Sequence, residues 1–427
     1  MYMFPRKLKN GQGEQSMSKF KTKNEINTRQ MADKHALAFG LISVFLIGIG
    51  FSIITPVIPF LVQPYITNPN NQAIVVTLLI SVYAICMFFS APILGALSDR
   101  FGRRPLLLCS LLGASVGFFV FGIGGSLGVL FAGRIIEGIT GGSISTIFAY
   151  FADITPKEQR TKYFGWVSAI TGVGSVMGPA LGGVLAAKFG YAAPLYFGAM
   201  ITLLNVVYGF FFMPESLHKN NRLKEITPSR LNPFLQLFNV LSMKNLNRLL
   251  ISAFLLWIPS GSLQAILSQF TIDTFNWKPA LIGLVFSIMG IQDIISQGLI
   301  MPRLLLKLSD KQIVVLGMFS EMIGYGLIAG SALLSFYPFF IIGMFVFGFG
   351  DSIFGPAFNG MVSKSADISE QGRVQGGSQS IQSLARIVGP IIGGQLYVTF
   401  GSAAPAFMGV LLITAAIAVL VKGKVAA

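Results

Sequence analysis

Charge is what this sequence has least of. Only 11% of its 427 residues are Asp, Glu, Lys or Arg, less than half of the roughly 25% found in soluble globular domains, which excludes an ordinary soluble protein. Histidine is nearly absent. His35 and His218 are the two present, and neither has a partner at a catalytic spacing, so both read as solvated loop residues. A polytopic membrane enzyme, which needs a cluster of His or Asp at a membrane face, is therefore not expected. Cys86 and Cys109 are the two cysteines, each inside an apolar run. They form no disulfide framework and no metal-ligand spacing, and neither a metal nor a cofactor is expected. Residues 1–35 lack the apolar core of a cleavable signal peptide. No polar stretch is long enough for the soluble output domain of a sensor.

What is present is apolar length. Hydrophobic residues make up 53% of the chain, aromatics 12%, and the mean hydropathy is +0.71. A membrane-spanning helix needs about 20 apolar residues. Apolar runs broken by short polar punctuation place twelve helices near 36–62, 73–97, 105–125, 127–152, 162–187, 190–213, 247–272, 279–301, 311–334, 337–363, 374–398 and 402–421. The expected fold class is an all-α polytopic membrane protein. Its parts are a disordered tail (1–35), a first six-helix bundle (36–213), a hydrophilic linker (214–246), a second bundle (247–421) and a short tail (422–427).

Lys and Arg exceed Asp and Glu by 31 − 16 = 15. An even number of spans puts both termini on one side, and the loops of that side hold 27 of the 31 basic residues. The opposite loops hold Lys188 and Lys278, and Arg134 and Arg386 fall within helices. This is the positive-inside distribution, with both termini cytoplasmic in the inner membrane. The basic excess thus reflects topology and contact with the lipid bilayer, and nucleic acid is not an expected partner.

The chain repeats itself at an offset of 389 − 178 = 211 residues. Gly178-Pro179 with Gly182-Gly183 returns as Gly389-Pro390 with Gly393-Gly394. Phe189-Gly190 returns as Phe400-Gly401, and Leu97-Ser98-Asp99 as Leu308-Ser309-Asp310. Two parallel six-helix repeats joined by the linker follow, an arrangement that binds substrate near the bilayer midplane between the halves.

Two motifs sharpen this. The loop after the second helix reads Gly95-Ala-Leu-Ser-Asp99-Arg100-Phe-Gly102-Arg103-Arg104. Its glycines permit a tight turn, its arginines suit anionic headgroups, and Asp99 can accept from helix-end amides or pair with an arginine across the halves. Helix 5 carries Gly165, then Gly174, Gly178-Pro179 and Gly182-Gly183. Small residues four apart make a groove for a neighbouring helix, and Pro179 allows a bend. Plain helix packing accounts for part of this pattern. The loop closely resembles the signature loop of the major facilitator superfamily, where it implies gating. The helix 5 pattern resembles that of proton-coupled drug exporters. Gly133-Arg134, Gly138-Ile139-Thr140-Gly141, Ala152-Asp153-Ile154-Thr155 and Pro214-Glu215-Ser216 look like the tetracycline/H⁺ antiporter branch.

Charges inside the membrane cost about 2.5–3.5 kcal/mol each on insertion scales, so each is a functional candidate. They are Arg134 and Glu137 in helix 4, Asp293 in helix 8, Glu321 in helix 9, Asp351 in helix 10 and Arg386 in helix 11. Arg134 and Glu137, three apart, share a helix face. Carboxylates in low-dielectric cavities titrate closer to neutral pH and can load and release protons there. Asp293 and Glu321 fall where the resembling exporters carry groups linked to proton coupling, and the family's helix 4 arginine implies the same for Arg134. A purely structural pair of Asp293 with Arg386 is the alternative. Gln375, Gln379, Gln382 and Arg386 form one polar stripe on helix 11, which with Asp351 and Gln264 makes the candidate substrate cavity. Two acids that tetracycline exporters carry are replaced by Ile47 and Gly117, which puts binding of a metal-chelated tetracycline in doubt. The expected function is proton-coupled efflux of small amphipathic compounds by alternating access, by a monomer exchanging substrate against protons. A specific metabolite or siderophore exporter, or an uptake symporter, are the alternatives on the same fold.

Overall fold

The computed structural model describes residues 36–50, 52–68, 71–141, 143–155, 160–217, 222–226, 231–235, 244–364 and 371–421. The tails at 1–35 and 422–427 and much of the linker lie outside the described residues, as do the side chain of Gln375 and the surroundings of Gly165.

Apolar runs of membrane-spanning length become helices because each satisfies its own backbone groups in a medium without water. The first segment, α1, is described over Ala36–Gly50, is helical again at Ser52 and Ile53, and after a turn resumes over Ile58–Val62. The others are α2 (Gln72–Phe101), α3 (Arg103–Ile123), α4 (Leu127–Ile154), α6 (Ala193–Phe212), α8 (Pro279–Leu305), α9 (Asp310–Leu334) and α12 (Ala404–Val421), with α5 (Arg160–Phe189), α7 (Lys244–Phe275), α10 (Tyr337–Lys364) and α11 (Gln371–Phe400). The expected boundaries hold to within a few residues. Among the described helices, ten are long and apolar enough to cross a membrane. The exceptions are α1 and α11. Between the pieces of α1 the chain makes tight turns, with Thr55 N bonded to Ser52 O at 3.1 Å and Val57 N to Ile54 O at 3.0 Å; Pro56, which lacks an N–H, lies in that stretch. In α11 the glutamine and arginine stripe dilutes an otherwise apolar helix.

Proline and glycine mark the ends. Prolines open α6 and α8 at their first turn, where the missing N–H is an orphan anyway. Gly102, between α2 and α3, has φ +110°, a conformation open to glycine and costly for other residues.

The buried apolar side chains gather differently in the two halves. Among the described residues, one cluster runs from Leu246 through Phe270, Met318 and Phe354 to Leu420 in the second half and takes in Ala73 of α2. The described residues of the first half give two more. One contains Ile53, Val76, Phe118, Leu130 and Leu195, and the other Phe39, Leu107, Ile147, Phe151 and Met213.

The glycine repeat does the same work in both halves. A side chain on Gly178 would stand 2.9 Å from the carbonyl oxygen of Ile49 in α1. One on Gly389 would stand 3.0 Å from the amide nitrogen of Ser262 in α7. So α5 lies against α1 and α11 against α7, backbone to backbone. The next residue of each motif turns to the opposite half: Gly183 abuts Pro279 of α8, its would-be Cβ 2.6 Å from the carbonyl oxygen, and Gly394 abuts Thr77 of α2. Hydrogen bonds add to this seam. Ser287 Oγ donates to Val176 O at 2.7 Å, Ser268 Oγ to Thr55 O at 2.8 Å, and Ser81 Oγ to Ile387 O at 3.3 Å. These contacts gather in the part of the bundle away from the α2–α3 loop.

Candidate functional site

Between the halves lies a cavity of about 320 Å³ walled by both. Its background is apolar, with Ile58, Met87, Phe286, Met289, Met344 and Phe347 among the lining residues. Four of the charged groups picked out in the sequence face it: Arg134, Asp293, Asp351 and Arg386; the candidate Gln264 joins them. An adjoining polar cavity of about 230 Å³ is lined by Gln297, Asn359, Ser378, Gln379 and Gln382. Asp293 and Asp351 stand on the wall of both, so the two spaces meet at these carboxylates.

Local geometry sets each group. Asp293 accepts from Gln297 Nε2 at 2.7 Å, one turn on. Immediately afterwards α8 widens into a π-turn over Ser296–Ile300, followed by Pro302, which has no N–H to return; π-turns of this kind recur at functional positions. Asp351 is exposed to the cavity. No ion pair within 4.0 Å joins Asp293 or Asp351 to Arg386 among the described residues, so the structural pairing of Asp293 with Arg386 is not formed. Gln379 Nε2 donates to Gln382 Oε1 at 3.1 Å, which keeps the α11 stripe in register.

Two expected proton carriers stand apart from this cavity. Glu321 is fully buried, against Gly350 of α10, whose would-be Cβ is 2.9 Å from Glu321 Cγ. Its Oε2 has the Ser260 hydroxyl at 3.4 Å, while Oε1 and the nearby Tyr325 hydroxyl find no hydrogen-bond partner among the described residues. Glu137 is paired with Arg134, Nη1 to Oε2 at 2.6 Å, and both side chains are under 10% exposed. Arg134 also donates from Nε to Leu79 O at 3.3 Å and lies under the Tyr83 ring, 4.3 Å from its centroid. Glu137 borders a separate small cavity of about 50 Å³, together with Ile47, Ser110, Thr140 and Thr202. A side chain at Gly117 would stand 3.0 Å from Glu137 Cβ. The two positions that lack an acid, Ile47 and Gly117, therefore both converge on Glu137.

The α2–α3 loop is a charge cluster within the first half. Arg103 pairs with Asp99 at 2.5 Å and with Asp153 of α4 at 3.1 Å, and donates to Ser98 Oγ at 2.7 Å. Asp99 thus pairs in its own half, not with an arginine across the halves. The linker closes over the loop: Glu215 accepts from Arg103 N at 2.8 Å and Arg104 N at 3.3 Å, capping α3, and Leu223 N donates to Asp99 O at 2.9 Å. Arg104 reaches Phe210 O, and Arg100 lies over Phe101 at the exposed edge. Gly95, one turn before Ser98, accepts from its hydroxyl at 2.8 Å.

Sequence reading missed Asp273. It lies on the last turn of α7, beyond the expected end of that helix, and accepts from Tyr397 OH and Gln269 Nε2, each at 2.8 Å. The signal was available, since a Gln269–Asp273 spacing of four places both on one face.

Two halves that meet along paired helices around a central cavity define a polytopic transporter. The family model described as Major Facilitator Superfamily matches residues 40–264 and again 249–425, once per half, and the chain belongs to that superfamily. Within it the chain groups with the tetracycline-resistance branch. It is 35% identical to the tetracycline resistance protein, class C, of Escherichia coli over 87% of this chain and 92% of that one. It is 28% identical to multidrug resistance protein 2 of Bacillus subtilis (strain 168), over 84% of this chain and 87% of that one. Among solved structures, the human organic anion transporter MFSD10 (TETRAN) superposes with a TM-score of 0.69 at 21% identity, covering 91% of this chain and 99% of that one. That likeness speaks for the fold.

Proposed function

We propose that this protein is a proton-coupled exporter of small amphipathic compounds that works by alternating access. The observation that carries this reading is the central cavity, apolar in background, with Asp293, Asp351 and Arg386 on its wall. The resistance functions in the names of its relatives support export. The two six-helix units span 36–213 and 247–421, joined by the linker, and act as a monomer. The α2–α3 loop, the linker and both termini face the cytoplasm of an inner membrane, in keeping with the basic loops. In this arrangement the halves are held together on the outer side, through α5 with α8 and α2 with α11, and substrate enters from the cytoplasm past Gln379 and Gln382.

Asp293 is the cavity's exchangeable proton carrier and Asp351 with Arg386 and Gln264 holds substrate. Glu321 serves as a buried, neutral acid behind Asp351, because an ionised carboxylate facing a single hydroxyl would be very costly to bury. The loop cluster gates the cytoplasmic side. Everted vesicles test the reading directly. A preset pH gradient collapses on addition of a transported drug with the wild type and persists with Asp293→Asn. A panel of amphipathic drugs that leaves the gradient intact with the wild type overturns it.

A further inference from the structure

Arg134 and Glu137 form the wall between two cavities. The arginine lines the large cavity between the halves. The glutamate lines the small one, walled by α1, α2, α3, α4 and α6 of the first half. Tyr83 borders both and covers the guanidinium with its ring. The ion pair of 2.6 Å therefore connects two compartments, and a change at one end is felt at the other.

The small cavity suits water. A cavity holds a water molecule when its volume exceeds about 10–15 Å³ and polar partners are present. This one has about 50 Å³, with Ser110 and Thr202 buried on its wall beside Thr140 and the Glu137 carboxylate. The Thr140 hydroxyl already donates to Ile136 O at 2.9 Å, so its lone pairs remain free to accept. On the other side, Arg134 donates to Leu79 O at 3.3 Å. Among the described residues, Glu137 is the carboxylate within ion-pair distance of it.

We propose that this pair is a proton-operated charge switch. A proton taken by Glu137 from water in the small cavity neutralises the carboxylate and leaves the Arg134 guanidinium with no counter-charge. The first-half wall of the central cavity then turns from neutral to positive. Deprotonation restores the pair. The substrate space thus senses a proton held on the Glu137 side of the pair, in the separate small cavity. The other ionisable groups in reach are Tyr83 and, against Gly138, Cys86, both on α2; the small-cavity linings from α1, α3 and α6 carry none. Across the central cavity stand Asp293, Asp351 and Arg386. This inference rests on the reading of the central cavity as the substrate space, but its test needs no transport.

The potential of the central cavity is read by thiol labelling of the purified protein. Cys86 and Cys109 are replaced by serine, Met87, which lines the central cavity, is replaced by cysteine, and Asp293 and Asp351 by asparagine so that they do not titrate. The rates of modification by a negatively charged and a positively charged methanethiosulfonate are compared from pH 5 to pH 9. The expected result is a ratio of anionic to cationic rates that rises several-fold as pH falls. Adding Glu137→Gln should fix the ratio at its low-pH value throughout. A ratio independent of pH in the Glu137-containing protein overturns the switch, and that arm requires no change at the pair itself. A pH dependence that survives Glu137→Gln also overturns it, by assigning the titration elsewhere. Absence of drug efflux by the wild type, with the labelling pattern intact in the labelled protein, would count against the transport reading and leave the switch standing.

Discussion

Lys364 of α10 places its ammonium 2.6 Å from Asp310 of α9, and both positions have counterparts 211 residues earlier, at Asp153 and Asp99. In the first half those two positions carry like charges, and Arg103 is inserted between them. The repeat has kept the place of the clasp between neighbouring helices and changed its chemistry. In the second half a direct pair closes it. In the first, an arginine that also holds Ser98 makes a larger cluster.

The two clasps should differ in worth. Lys364 is 75% exposed, and exposed pairs contribute about 0–1 kcal/mol. Lys364→Ala should leave thermal stability in detergent nearly unchanged. Arg103 is buried, but it bridges the partly exposed carboxylates of Asp99 and Asp153, so its removal leaves two like charges facing each other and should cost more than loss of an isolated exposed pair. Arg103→Ala should lower the melting temperature clearly and abolish efflux. Equal effects in the two variants would show that the first-half cluster carries no special load.

Glu215 caps α3 from the linker. Loss of an N-cap costs about 0.5–2 kcal/mol, and an acid at a helix N-terminus gains further from the helix dipole. Glu215→Ala should destabilise the protein by about that amount and loosen the α2–α3 loop, read as faster hydrogen exchange at Arg103 and Arg104. Glu215→Gln keeps one acceptor oxygen and should recover part of the protection.

Along α5 the glycines are not equivalent. Gly178→Val would drive a side chain into the α1 backbone at Ile49 and Ile53, and overpacking of this kind costs about 1–3 kcal/mol. Gly172 has open space around it, so Gly172→Ala should be neutral or slightly stabilising in a helix. Thermal unfolding of both variants in the same detergent checks the contrast.

At the seam between the halves, Gly283 of α8 meets the backbone of Pro179. Gly283→Val should prevent that approach and bias the protein toward opening on this side. Ile58, buried on the cavity wall, is the reporter: a cysteine there should become more reactive to impermeant reagent from the side opposite the α2–α3 loop. Unchanged reactivity would mean that the seam yields elsewhere.

Much of this was legible in the sequence. Helix lengths, the repeat and the positive loops depend on apolar run length and on where charges stop, and both are written in the chain. The large cavity was legible through its charges, since Asp293, Asp351, Arg386 and Gln264 needed somewhere wet to face. Depth behind the wall was not. Helix α9 is apolar on all sides, so its pattern does not say which face meets the cavity, and Glu321 proved to be sealed behind α10. The separate pocket at Glu137 was equally hidden, because it arises from five helices that meet only in three dimensions. Asp273 was passed over because α7 runs to Phe275, a few residues past its expected end.

The first half keeps its buried side chains in two clusters, and the small cavity at Glu137 lies where they adjoin, touching Leu111 of one and Phe118 of the other. The second half has a continuous cluster. The Arg134–Glu137 pair therefore stands where the described side chains of two separately packed groups come together, so any sliding of one group past the other would be felt at its 2.6 Å contact.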